Sequence, residues 1–138
     1  MVKVEVRGME ALQARLKRTS ATLAREAPKA VRVFAGEVMN EAQKRVPVVT
    51  GRLRSSAYIR EVKRNQHRTD VRFGYEAPYA VFVHEIPYSG RTTRGKPGAL
   101  RNGKGYKWLQ RAFQKVKRNS ASRVMDRIKH AVRTTWER

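Results

Sequence analysis

A chain of 138 residues has room for one domain with a core of its own and not for two ordinary ones, and 40% hydrophobic residues suffice to fold it. Its 32 Lys and Arg against 11 Asp and Glu give a formal charge of +21, an excess that repels itself in the compact state and favours a polyanion or an acidic protein surface as partner. Cysteine is absent, which excludes disulfides, thiolate metal sites and cysteine nucleophiles together, and the lack of a secretory signal or a long apolar run predicts a soluble protein without a membrane span.

Val2 to Val6 alternate apolar and charged, the period of a half-buried strand, and Gly8 closes the segment. From Met9 the period becomes helical: Met9, Leu12, Leu16 and Leu23 predict an amphipathic helix over 9–25. Pro28 suits the first turn of a second helix, whose apolar stripe runs through Val31, Phe34, Ala35, Val38, Met39, Ala42 and Val46 until Pro47 ends it. The stretch VPVVTGRLRSSA follows, with a Thr50-Gly51 turn in which glycine takes a positive φ and from which Leu53 returns to the core. Strands are expected over 57–63 (AYIREVK) and 70–75 (DVRFGY), joined as an antiparallel hairpin by the polar turn NQHRT.

Composition then changes abruptly. Residues 86–106, IPYSGRTTRGKPGALRNGKGY, hold five of the nine glycines, two of the five prolines, five Lys or Arg and no acid, which reads as an extended basic loop. From Trp108 helical spacing resumes through Leu109, Phe113, Val116, Val124, Ile128, Val132 and Trp136, a helix of about 45 Å if Asn119-Ser120 does not interrupt it. The expectation is a single α+β domain over 1–138: an α+β core over 1–85, the basic loop over 86–106 and a C-terminal helix over 107–138.

Chemistry finds few footholds. The VHEIPYS segment around His84-Glu85 lacks the second histidine that a zinc-binding helix needs, which leaves His84 half exposed and Glu85 paired with an arginine. The acids are scattered, Ser55-Ser56 lacks a nucleophile-elbow context, and GKGYK lacks the spacing and ending of a phosphate loop. No catalytic residue, metal or cofactor is therefore assigned. Non-specific nucleic-acid binding is the rival reading, through the basic loop and the cations of the last helix (Arg111, Lys115, Lys117, Arg118, Arg123, Arg127, Lys129, Arg133), with Tyr88, Tyr106 and Trp108 as stacking candidates. No zinc-finger or RNA-recognition signature accompanies it. A small domain with an extended loop and a long terminal helix carries elements that its own core does not cover, as assembly proteins do.

The order of motifs resembles the head–tail joining, neck or tail-completion proteins of lambdoid-type long-tailed bacteriophages. Val46, Pro47, Thr50, Gly51, Leu53, Arg54 and Ser56 match that family's V-P-x-x-T-G-x-L-R-x-S turn, Tyr79, Ala80 and Glu85 its Y-A-x-x-x-E segment with one extra residue, and Trp108, Leu109 and Ala112 its later aromatic-Leu-x-x-Ala segment. The chain departs from the pattern after Glu85, where IPYSG and the basic loop replace a short Gly-Thr turn. The resemblance implies a non-enzymatic minor structural protein of the virion. It implies a closed ring of about six or twelve subunits at the head–tail junction, between the connector or head-closure proteins and the tail terminator or tube. DNA would pass through its lumen, with non-specific contact at most, and no membrane would be involved. On this reading Pro47, Thr50 and Gly51 form a structural turn. Arg52, Arg54, Tyr88, Arg91, Arg94, Lys96, Arg101, Lys104, Trp108 and Trp136 become candidates for subunit or partner contacts. A plain helix-to-strand connection explains the turn equally well.

Overall fold

Helical spacing dominates the chain, and in the computed structural model two long helices packed antiparallel carry the fold. The structure describes residues 7–65, 68–85 and 106–138. In chain order the elements are α1 (Met9–Arg45), α2 (Arg52–Ser55), β1 (Ala57–Asn65), β2 (Arg68–Tyr75), α3 (Ala80–Glu85) and α4 (Trp108–Trp136). The α+β class expected from the sequence is the one observed. The N-terminal strand over 2–6 and nearly all of the basic loop lie outside the described residues.

The expected pair of N-terminal helices is one helix of 37 residues with Pro28 inside it. A proline in a helix interior removes one i→i−4 hydrogen bond, here to the carbonyl of Ala24, and crowds that turn. The break is overridden because α1 is held by α4 on both sides of the proline: Thr135 Oγ1 donates to Thr22 Oγ1 at 3.2 Å, and Lys115 Nζ donates to Glu41 Oε1 at 2.8 Å. These two contacts also fix the antiparallel register. With Thr22 opposite Thr135, the first turns of α1 run past the end of α4, and Met9, Leu12 and Leu16 are about half exposed there.

Pro47 does end α1 as expected, and Val46 before it is extended at φ −61°, ψ 133°. In α4 every fourth residue from the start is buried (Trp108, Ala112, Val116, Ser120), so the Asn119-Ser120 pair does not interrupt the helix. Ala42 and Ala112 are fully buried and let the two backbones approach, while Phe34 and Phe113 meet edge to face at 5.7 Å.

The hairpin is antiparallel, with Ala57 opposite Tyr75 and Ile59 opposite Phe73, and an irregularity between Lys63 and Asn65. Phe73 and Tyr75 lean on the core. Tyr58 lies on the other face opposite Gly74, where a Cβ would come within 3.4 Å of its hydroxyl, so the missing side chain makes room for the ring. An Arg32–Glu61 ion pair links α1 to β1. The segment after β2 is not a continuation of the hairpin: Ala77 and Ala80 are buried and α3 turns back over the core.

Trp108 was a candidate for partner contact, but it is 1% exposed and the largest side chain buried outright. Its ring stands edge-on to Tyr75 at 5.5 Å and to His84 at 4.8 Å, so it is a core residue of this chain. Trp108→Ala is expected to cost about 3–5 kcal/mol in denaturant unfolding, whereas Trp136→Ala, at a site 38% exposed, costs a small fraction of that. Pro28→Ala should raise the unfolding midpoint, by up to about 3 kcal/mol of added stability, because it returns a backbone donor to the Ala24 carbonyl.

Candidate docking surface

Termination of α1 by Pro47 throws Val48 and Val49 into solvent, and Val49 is 93% exposed. The chain then turns at Gly51, whose φ of 79° is the left-handed conformation that glycine adopts without strain. The Arg52 N–H donates to Thr50 Oγ1 at 3.4 Å, and α2 swings Leu53 into the core, where it is 5% exposed. Arg52 and Arg54 point outward on this single turn of helix. Gln43 Nε2 donates to the Arg54 carbonyl at 3.1 Å and ties α2 back to α1.

The two motif blocks meet through Ser56. Its hydroxyl donates to the Leu53 carbonyl at 2.7 Å and accepts from the Ala77 N–H at 3.2 Å, while its carbonyl accepts from the Glu76 N–H at 2.9 Å. The segment carrying α3 is thereby placed beside the VPVVTG turn. Between them lies a recess of about 250 Å³ lined by Pro47 to Gly51, Leu53, Tyr79 and Val83, mostly apolar. Val81 and Phe82 on the same short helix are 69% and 66% exposed. An apolar, open recess with bare valines and a bare phenylalanine around it is suited to receiving another protein's side chains.

The sequence candidates do not all converge here. Pro47, Thr50 and Gly51 line the recess, and Arg52 and Arg54 stand on the element that follows it. Trp136 sits at the far end of α4, near the level of Thr22. Tyr88, Arg91, Arg94, Lys96, Arg101 and Lys104 lie outside the described residues. Val48, Val49, Tyr79 and Phe82 were not singled out as contact residues. The paired valines ahead of a Thr-Gly turn were the available signal, because apolar residues just past a helix stop have no core to enter.

His84 is less exposed than expected, and Glu85 pairs with it rather than with an arginine: His84 Nδ1 and Glu85 Oε1 lie 2.7 Å apart. The Lys107 N–H donates to the His84 carbonyl at 2.8 Å. Among the described residues, His84 Nε2, Trp108 Nε1 and Tyr75 Oη are buried without a hydrogen-bond partner, and burial pushes the Tyr75 hydroxyl pKa up. No group of three or more His, Asp or Glu side chains that would hold a metal ion occurs among the described residues.

One buried carboxylate organises the α1–α4 seam. Glu41 binds Lys115 at 2.8 Å, Arg45 at 3.0 Å and Lys44 at 3.5 Å. The Lys115 hydrogen bond, with Arg45 behind it, outweighs burial and holds its pKa at about 2, below the ordinary 4.5. Glu41 therefore stays ionised in the folded chain after the unfolded chain has taken up its proton. Its contribution is complete above about pH 4.5 and is lost as pH falls toward 2. Unfolding midpoints measured across that window should decline, and Glu41→Gln should flatten that decline while lowering stability at neutral pH.

The geometry presents a docking surface, and the comparison of families agrees with a protein that works by assembly. Residues 10–84, more than half of the chain, match the model of the family described as "Bacteriophage HK97-gp10, putative tail-component", and the chain belongs to that family. It is thus a structural protein of a bacteriophage particle, within the broader group that its motifs resemble. The matched span contains both motif blocks around the recess and ends in α3, ahead of the Trp108 segment. No curated protein and no solved structure matches the chain.

Proposed function

We propose that this chain is a non-enzymatic virion subunit that forms a closed ring at the head–tail junction. One face of the ring meets the connector or head-closure proteins, the other the tail terminator or tube, and DNA passes through the lumen. Six or twelve subunits are the stoichiometries that the family resemblance suggests. The observation that carries the reading is the convergence of the VPVVTG turn and α3 on an exposed apolar recess in a chain of the tail-component family. Repeated contacts of modest strength around a ring become strong together, so a small recess suffices as the unit of docking. Arg52 and Arg54, exposed on α2, supply the rim charge that selects an acidic neighbour.

The reading is tested by a double substitution, Val49→Asp with Phe82→Asp, in the phage genome. Both side chains are exposed, so the purified variant should unfold like the parent. Heads and tails should then accumulate unjoined in electron micrographs, with infectious titre down by more than about tenfold, a loss of over 1.4 kcal/mol of docking free energy if titre follows occupancy. Joined particles at the parental titre would exclude this recess as the docking surface. Light scattering of the purified chain across a salt series measures whether the ring forms alone or on its partner.

A further inference from the structure

A second recess, of about 320 Å³, opens where the end of α1 meets the first half of α4, and its chemistry is opposite to the first. Among the described residues it is lined by Arg45, Arg111, Gln114, Lys115, Arg118 and Asn119. That lining holds four cations and two amides, with neither an acid nor an apolar side chain. Arg111, Lys115 and Arg118 follow the i, i+4, i+7 spacing of one helix face and span about 10 Å along it. Arg45 faces them from the other helix.

Two of these head groups are fixed from behind. Glu41, buried under the recess, holds Arg45 at 3.0 Å and Lys115 at 2.8 Å. The Arg111 guanidinium rests 5.7 Å from the centre of the Tyr106 ring. One carboxylate shared among Lys44, Arg45 and Lys115 leaves the lining with a positive excess, and a concave cationic surface on a low-dielectric wall focuses its field outward.

The kind of partner follows from what the recess lacks. Protein interfaces are depleted of charge at their centres and enriched there in aromatic side chains. Nucleic-acid interfaces are polar and cation-rich, and most of their hydrogen bonds go to phosphate and sugar. The apolar recess beside α3 has the first character and this one the second. We infer that the Arg45–Arg111–Lys115–Arg118 recess binds the phosphodiester backbone of a nucleic-acid duplex, independent of sequence. The inference does not require the ring, because it is measurable on the isolated chain.

The test is fluorescence anisotropy of a short labelled DNA duplex with the full chain, from about 0.05 to 0.2 M salt. Combining Arg111→Gln, Lys115→Gln and Arg118→Gln should lower affinity at low salt by tenfold or more. It should also reduce the slope of log affinity against log salt by about 2.7, or 0.9 for each phosphate contact. A control with Arg15→Gln, Lys17→Gln and Arg18→Gln, on the exposed first half of α1, removes the same charge and should leave most of the slope intact. Gln114→Glu with Asn119→Asp keeps the Lys115–Glu41 bond and should weaken duplex binding likewise, so a folding defect of the triple variant does not decide the matter. Equal losses from the two triple variants overturn the site in favour of diffuse charge. Recess variants that bind duplex normally but no longer bind polyglutamate overturn it in favour of an acidic protein.

Discussion

Trp108 stands where α4 begins, and its indole meets Tyr75 of β2 and His84 of α3 in edge-on contacts of 5.5 and 4.8 Å. Burying so large a ring completely is favourable only if elements distant in sequence close around it. Once they do, α3 is held against the core by the His84 ring and by the Lys107 N–H on the His84 carbonyl. One wall of the apolar recess is built on α3. The docking surface therefore depends on a core contact that lies outside the span matched by the family.

The long helix pair gives that core its frame. Ala42 and Ala112 permit close approach, Glu41 is sealed in by cations from both helices, and Thr22–Thr135 marks where the pairing ends. A chain with this much positive charge gains from a seam that gathers several cations around one buried carboxylate. The same seam leaves a cationic lining open to solvent at Arg111 and Arg118. Apolar and cationic surfaces are thus separate regions of one small domain, each with the chemistry of a different partner.

Much of this was legible in the residues. The stop at Pro47, the positive φ at Gly51, the return of Leu53, the hairpin and the terminal helix follow from local rules: ring closure, the absence of a Cβ, and the spacing of apolar side chains. Pro28 misled because its cost is local while the packing that outweighs it lies in α4, far along the chain. Trp108 misled because an aromatic at helical spacing reads alike for a core and for an interface.

By itself the sequence determined the α+β class, the boundaries of the turn that starts at Pro47, the net charge and the motif order that marks the family, since each depends on neighbouring residues or on composition. Only the tertiary structure decided that Val48 and Val49 share a recess with Tyr79 and Val83, that Trp108 is interior, and that Arg45 joins Arg111, Lys115 and Arg118. Those facts arise from the antiparallel register of α1 on α4 and from the hydrogen bonds of Ser56. Both bring together residues that no local periodicity connects.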